Sequence, residues 1–272
     1  MKQSLLPLRW GRLTLLRSGL LFLVLTLGSL PAFAVDHDNV DENRPLDFDD
    51  AETIAQGERS LELGASLIDP KNGNLGGDGE AEFLYGFARN WHLNVGLDPT
   101  YLSQNGDRRR FDVGDIRFGV QHNFNRETQH SPAFGIRADA MLPTGRTSSG
   151  LDYRLRGIAS RKFGAYGRLH LNLDLNVNNS PQAGERATRP GVILGYSRPL
   201  GYPRRFDRTL VAQVGYRASS QQNGSGIVNI GLGIRQQVTP RSVFDLGITS
   251  DLSGSGYDRN RLRLIAGYST AF

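Results

Sequence analysis

The charged residues of this chain often stand two positions apart, the spacing that puts side chains on one face of an extended strand. Glu80 and Glu82 form such a pair, and two carboxyls on one face could act as a general acid and a general base. Carboxylates that line a wet interior beside arginines are the plainer interpretation. We therefore expect Glu80 and Glu82 to line the interior rather than to act in catalysis.

Histidines are the other candidates for catalysis or metal binding. No two of the five stand at a metal-ligand spacing, and the chain has no Gly-x-Ser-x-Gly motif to present a nucleophilic serine. The absence of Cys excludes disulfide scaffolds, Cys-ligated zinc and iron–sulfur sites. His92 and His170 fall on polar faces, where hydrogen-bonded structural roles are the simpler interpretation. We therefore predict that the protein is not an enzyme and has no cofactor or metal.

The elements that carry these residues alternate apolar and polar side chains with a period of two. In residues 168–178 (RLHLNLDLNVN) every apolar side chain falls on one face and every polar one on the other. A helix cannot sort these residues, because its period is about 3.6, whereas a strand sorts them fully. The pattern recurs about twelve times from residue 57 onward, and long Gly-rich connections alternate with shorter turns. This alternation is typical of up-and-down bacterial β-barrels.

The cost of charge in lipid decides which face points outward. A charge at mid-bilayer costs roughly 2–4 kcal/mol on such a barrel, so the apolar face must meet lipid and the charged face must line the lumen. Aromatic residues near strand ends, among them Trp91, Tyr153 and Tyr268, favour a membrane barrel with interfacial girdles over a soluble β-sandwich. We predict an all-β transmembrane antiparallel barrel of about 12 strands, with both ends in the periplasm.

Two segments precede the barrel. Residues 1–34 hold a basic start, a Leu-rich uncharged stretch and the small-x-small pattern Ala32-Phe33-Ala34, which together predict a signal peptide cleaved after Ala34. Residues 35–56 are acidic with few apolar residues, which predicts a disordered periplasmic tail. The alternative is that these acids dock into the barrel mouth as a plug. The predicted organisation is therefore a signal peptide over 1–34, a tail over 35–56 and an outer-membrane barrel over 57–272, in a Gram-negative bacterium.

Four local motifs carry a family resemblance. They are residues 85–93 (YGFARNWHL), 114–120 (GDIRFGV), 142–145 (LPTG) and 266–268 (AGY). In this order and spacing they resemble the outer-membrane transporters linked to the meta-pathway of phenol degradation, over most of residues 57–272. The resemblance implies a pore-like outer-membrane protein that passes small, often aromatic, compounds. The motifs are structural ones, so they specify the fold better than the solute.

The inward-facing side chains decide what the lumen could do. The candidate lumen-lining residues are Glu62, Glu80, Glu82, His92, Asp98, Asp115, Arg117, Arg137, Asp139, Arg154, Arg156, Arg168, His170, Asp174, Arg217, Arg235, Asp245, Arg261 and Arg263. Acids and arginines nearly balance, which predicts cross-strand ion pairs and weak charge selectivity. Glycines on the same face leave space. We expect a narrow passive channel for small solutes, and the family resemblance implies aromatic compounds among them. The alternative is a structural or surface-interaction barrel with a plugged lumen.

The expected partners follow from this placement. The formal net charge of +5 does not indicate nucleic acid, because the excess cations lie in the signal peptide, loops and turns. Arg108, Arg109, Arg110 and Arg146 lie in predicted outer loops, where they could meet lipopolysaccharide phosphates or simply be solvated. The C-terminal Phe272 resembles the signal that outer-membrane assembly machinery reads. Outer-membrane lipid and a small-molecule solute complete the expected partners.

Overall fold

A computed structural model describes residues 40, 44–71, 74–102, 110–146, 148–201, 204, 207–254 and 259–272. The predicted signal peptide, residues 1–34, lies outside these residues, as do the acidic stretches 35–39 and 41–43. No helix long and apolar enough to cross a membrane is present among the described residues.

The described chain folds into one sheet of antiparallel strands. The strands are β1 (Arg59–Pro70), β2 (Gly76–Ala88), β3 (Trp91–Leu97), β4 (Thr100–Leu102), β5 (Arg110–Asp112), β6 (Ile116–Asn123), β7 (Ala133–Leu142), β8 (Asp152–Phe163), β9 (Gly167–Val177), β10 (Thr188–Pro199), β11 (Arg208–Arg217), β12 (Ile227–Thr239), β13 (Ser242–Asp251) and β14 (Asn260–Ala271). β1 pairs with both β2 and β14, which closes the sheet into a barrel. The all-β barrel prediction is therefore confirmed.

Two of these strands are short extensions rather than separate parts of the wall. β4 continues the direction of β3 beyond Pro99, which has no N–H to donate to a ladder. β5 likewise precedes β6 across Gly114, whose φ is 76° and where a side chain would collide with the Asp98 carbonyl. β4 pairs with β2 and with β5. The barrel wall consequently has the twelve strands that the alternation predicts.

The leucine-rich faces point outward. In β9, Leu173 is 54% exposed, whereas His170 and Asn172 beside it are 0% exposed. Similar exposed leucines, isoleucines and aromatics occur on nearly every strand. A continuous apolar surface of this extent is the lipid-facing band of a membrane barrel, and the predicted assignment of the faces is confirmed.

The connections separate the two ends of the barrel. Residues 89–90 and 240–241 make tight turns at one end, and residues 178–187 and 218–226 make longer loops at the other. Asn90 adopts a left-handed φ of 64° in its turn, a conformation that Asn tolerates better than most residues. The N–H of Phe272 donates to the carbonyl of Arg59 at 3.0 Å. The barrel therefore starts and finishes at its short-turn end.

Residues 44–56, hereafter the inner segment, do not form the disordered tail that composition predicts. They lie inside the barrel, and their buried side chains are Arg44, Pro45, Leu46, Phe48, Asp49, Asp50 and Ala51. The prediction of disorder from composition fails because acidic side chains of the segment form ion pairs with arginines on the lumen wall. The few apolar side chains join the inward-facing Ile193 and Val211 in a buried cluster. The plug alternative describes this part of the chain, although the segment lies deeper than the barrel mouth.

The lipid-facing band gives a direct test. We expect Leu232→Arg, at a 51% exposed position within β12, to destabilise the barrel by about 2–4 kcal/mol, since the new charge must leave water for lipid. Urea unfolding in lipid vesicles, followed by heat-modifiable gel mobility, measures this cost. Leu252→Arg is the control, because Leu252 is 54% exposed but lies in a loop. Equal effects at the two positions would contradict the membrane assignment.

Candidate functional site: the barrel lumen

The inner segment runs around the lumen wall and crosses successive strands. Its amide groups donate to wall side chains: Ala51 to Ser160 Oγ of β8 at 3.0 Å, Asp49 to Asn172 Oδ1 of β9 at 2.8 Å, and Asp47 to Gln213 Oε1 of β11 at 2.8 Å. Asn172 also donates back to the Asp49 carbonyl at 2.9 Å. A segment that crosses a barrel wall cannot use strand pairing, so wall side chains satisfy its buried backbone.

Inward glycines make room for the side chains of the inner segment. A Cβ at Gly195 of β10 would stand 2.6 Å from the Phe48 ring, and one at Gly231 of β12 would stand 2.8 Å from Leu46. Gly247 and Gly267 lie in the same way beneath Pro45 and Arg44. From the sequence alone, glycines on the inward face are expected to leave free space in the lumen. The structure fills that space with the inner segment.

Strands β2 and β6 to β9 carry a row of ion pairs, hereafter the ion-pair ladder. Its members are Arg117–Glu80 at 2.7 Å, Arg137–Glu82 at 2.9 Å, Arg154–Asp139 at 2.8 Å and Arg156–Asp174 at 2.6 Å. Each pair joins different strands, so the predicted cross-strand ion pairs are confirmed. Arg117 also lies 3.5 Å from Glu82, so both carboxylates are ion-paired with arginines, which agrees with the plainer interpretation of Glu80 and Glu82.

The inner segment is joined to the ladder by its own charges. Asp49 Oδ2 lies 2.6 Å from Arg156 NH1, and Asp49 Oδ1 lies 3.6 Å from Arg137 NH1. At the start of the segment, the buried Arg44 pairs with Glu62 of β1. Asp47 lies 3.2 Å from Arg263. Negative charges of the segment thus meet arginines on the wall, and its positive charge meets a wall carboxylate.

The remaining candidate residues divide between the interior and the rims. Arg235 and Asp245 form a fully buried pair at 3.0 Å, with side chains 1% and 0% exposed. The side chains of Asp98, Arg217 and Arg261 are 39%, 41% and 60% exposed at the long-loop rim. Arg168 lies near the short-turn rim, 3.0 Å from Glu52.

Asp115 holds a loop instead of lining the lumen. It accepts hydrogen bonds from the Gly145 N–H at 3.0 Å and from the Ser148 hydroxyl. The Thr144 hydroxyl donates to the Gly114 carbonyl at 3.0 Å and accepts from the Ile116 N–H at 3.0 Å. The Gly-Asp and Pro-Thr-Gly motifs therefore bind each other at the long-loop end. The contact cannot be read from the spacing of the two motifs in the sequence, because it forms only when β6 and β7 pair and bring Ile116 opposite Leu142.

The Tyr-Gly motif has a different role. A side chain at Gly86 would collide with the carbonyl of Ala55 in the inner segment. The Gly57 N–H donates to the Gly86 carbonyl at 2.6 Å, and the Gly86 N–H donates to the Glu58 carbonyl at 3.0 Å. This motif thus provides the place where the inner segment leaves the lumen wall and turns toward β1.

The two lumenal histidines have different surroundings. His170 is fully buried, with Nδ1 2.9 Å from Ser160 Oγ and Nε2 3.0 Å from Ser197 Oγ, as expected of a structural histidine. His92 is 2% exposed, and its ring nitrogens have no hydrogen-bond partner among the described residues. The described part of the chain contains no cluster of three or more His, Asp or Glu side chains that could hold a metal ion.

Polar cavities lie on both sides of the inner segment. Toward the long loops there are two, of about 290 Å³ and about 270 Å³, which share Arg263 in their linings. Toward the short turns, a cavity of about 550 Å³ is lined by residues 52–56 together with Arg89, Lys162 and Arg168. Spaces of this size suit small molecules. The short-turn cavity shares no lining residue with the two long-loop cavities.

Comparisons with known proteins agree with this architecture. A family model described as the MetA-pathway of phenol degradation matches residues 43–262. No curated protein matches the chain in sequence.

Several solved structures share the barrel fold at low sequence identity. An outer membrane channel from Pseudomonas putida F1 superimposes with a TM-score of 0.67 at 15% identity, covering 84% of this chain and 100% of that one. The NanC porin has a TM-score of 0.56 at 10% identity, covering 77% and 98%. The KdgM porin has a TM-score of 0.52 at 9% identity, covering 78% and 99%.

The buried pair inside the lumen allows a stability test. We expect Arg235→Met to cost about 3–5 kcal/mol, since it leaves the Asp245 carboxylate buried without its guanidinium partner. Adding Asp245→Leu should restore most of the loss. At the rim, Arg261→Met should cost less than about 1 kcal/mol, because its pair with Asp69 is exposed to water. Urea unfolding in vesicles measures all three, and a rim effect as large as the interior one would show that burial is not the cause.

Proposed function

Because the chain belongs to the family described as the MetA-pathway of phenol degradation, we propose that it is an outer-membrane channel for small solutes, monocyclic aromatics among them. The observation that carries the proposal is a closed barrel with a lipid-facing apolar band and polar cavities on both sides of the inner segment. Such a barrel gives a solute a route that avoids the bilayer. The family description supports the aromatic class, since phenol is a monocyclic aromatic.

Passage through this barrel requires the inner segment to move. The segment lies between the long-loop and short-turn cavities, and Asp49 binds it to the ladder. Its hydrogen bonds and ion pairs can be exchanged for bonds to water, so their net contribution is small compared with their number. Release also returns conformational freedom to the chain. We therefore infer that displacement of the segment opens the lumen, and we take the described arrangement as the closed state.

The second candidate function is a structural or surface-interaction barrel with a permanently plugged lumen. The burial of Arg44, Phe48 and Asp49 in the lumen favours it. The two candidates differ in one property, which is whether the inner segment leaves its position on the wall.

The route to the membrane belongs to the same proposal. Residues 1–34 serve as a cleaved signal peptide, and the assembly machinery reads the terminal strand that finishes at Phe272. The ring of Phe272 lies beside that of Phe83 in β2, with centroids 6.2 Å apart. The Phe272 N–H donates to the carbonyl of Arg59 in β1. Arg146 is exposed at the long-loop end, where lipopolysaccharide phosphates are available. Arg108, Arg109 and the side chain of Arg110 lie outside the described residues.

A reversible lock distinguishes the two candidate functions. The chain has no Cys, so Leu46→Cys with Gly231→Cys introduces one possible disulfide. A Cβ at Gly231 would stand 2.8 Å from Leu46 Cδ2, close enough for a disulfide to form with a small shift of the segment. We expect the reduced protein to conduct ions in planar bilayers and the oxidised protein to be silent, because oxidation fixes the segment to β12.

Ser60→Cys with Ala271→Cys is the matched control. These residues lie directly opposite each other in β1 and β14, so oxidation joins two wall strands without holding the inner segment. The control should conduct in both redox states. Silence of the reduced lock variant and of the wild type would support the permanently plugged barrel. Equal conduction in both states of the lock would show that solutes pass a stationary segment.

A further inference from the structure

Phe48 is the one aromatic side chain that the described inner segment places in the lumen. Its ring is fully buried and lies directly over Gly195 of β10. The ring centroid is 5.2 Å from that of His170, with the planes tilted by 33°. Ile193 and Val211 belong to the same apolar cluster. We call these four wall residues the Phe48 seat.

The Phe48 seat is built by the wall and does not depend on Phe48. Ser160 of β8 and Ser197 of β10 bond the two ring nitrogens of His170 at 2.9 Å and 3.0 Å, which fixes the plane that the imidazole presents. Gly195 is part of β10 and pairs with His170 across the sheet. Ile193 and Val211 lie on paired wall strands β10 and β11. All four seat residues therefore stay on the wall when the inner segment leaves, while Ser160 loses the hydrogen bond from the Ala51 N–H.

The chemistry of the seat favours an aromatic ring over an aliphatic group. A flat ring can approach the bare backbone of Gly195 more closely than a branched side chain can. Tilted contact between two aromatic rings contributes beyond the area that it buries, and His170 supplies the second ring. The neighbouring position of Leu46 over Gly231 shows no ring contact, so it serves as an internal comparison.

The seat also adjoins a cavity that solutes could enter. Ile193 lines the long-loop cavity of about 270 Å³, and so does Asp47, the residue next to Phe48. A solute in that cavity is therefore beside the seat. The rest of that cavity lining consists largely of charged and polar side chains. An aromatic ring in the cavity is therefore removed from water most completely at the apolar seat.

From these observations we propose that the Phe48 seat is the binding site for the monocyclic aromatic solute, and that Phe48 occupies it as a built-in substitute while the channel is closed. This inference rests on the proposed channel function and deepens it. A solute ring competes with Phe48, and its binding favours the displaced inner segment, because a ligand shifts an equilibrium toward the state that it binds better.

The test measures release of the inner segment in the full-length barrel. Ala51→Cys places a single thiol at a fully buried position of the segment, and maleimide labelling reports how often that position is exposed. At a phenol concentration about ten times its Kd for the seat, linkage raises the displaced population, and hence the labelling rate, about tenfold. Cyclohexanol, which has similar size and the same hydroxyl group, should leave the rate nearly unchanged.

Wall variants locate the effect. Gly195→Ala fills the floor of the seat and should abolish the response to phenol, whereas Gly231→Ala, beneath Leu46, should retain it. Both substitutions push the segment from the wall, so both should raise basal labelling, and only the phenol response separates them. Heat-modifiable mobility confirms that each variant is folded.

A second variant tests directly whether an aromatic solute binds the seat. Phe48→Ala vacates the seat, and a closed apolar cavity of about 150 Å³ is known to take up benzene. We expect saturable binding of 4-fluorophenol to this variant by ¹⁹F NMR, at least about tenfold tighter than to the wild type because Phe48 no longer competes. Leu46→Ala should give no such gain. Phe48→Val, which keeps an apolar residue in the cluster, replaces Phe48→Ala if the latter does not fold.

The outcomes separate the site from the channel. Equal responses to phenol and cyclohexanol, or a phenol response that survives Gly195→Ala, would overturn the aromatic site. If the reduced Leu46→Cys with Gly231→Cys protein fails to conduct while phenol still releases the segment, the channel proposal fails and the aromatic site stands. If the protein conducts but phenol releases nothing, the channel stands and the seat is only an anchor for Phe48.

Discussion

The interaction on which the structure depends is the exclusion of charge from lipid. Because a charged side chain on the outer surface is costly, the strands turn most of their apolar residues outward and most of their charged residues inward. The interior then has to neutralise a crowded set of arginines and acids. The ion-pair ladder does this on one part of the wall. The inner segment contributes further charges, with Asp49 placed between Arg137 and Arg156.

The inner segment and the inward glycines depend on each other. Gly195, Gly231 and Gly247 lack side chains where Phe48, Leu46 and Pro45 lie, so the wall could not admit the segment if it carried larger residues there. The segment in turn occupies space that would otherwise hold water. This reciprocal fit explains how a barrel of twelve wall strands can have a densely filled middle with cavities toward both ends.

The same arrangement connects the closed state to the proposed solute. Polar contacts of the segment can be exchanged for water, but the ring of Phe48 must leave an apolar seat for a more polar environment. A solute ring that takes over the seat keeps the apolar wall covered while the segment moves. Opening and selectivity would then come from one competition at one position, and the charged residues would tune the rest of the path only weakly because their charges nearly balance.

The sequence by itself determined the strands, their outward and inward faces, the twelve-strand wall and the presence of cross-strand ion pairs. Strand formation is a local property with a period of two, and the sign of each face follows from the cost of charge in lipid. Only the tertiary structure decided the position of residues 44–56, the contact between the Gly114 and Thr144 motifs, and the role of Asp115. Composition predicts disorder for the acidic segment because it counts only the residues within it. The arginines and glycines that order the segment come from strands far along the chain, and they become its neighbours only when β1 and β14 close the barrel.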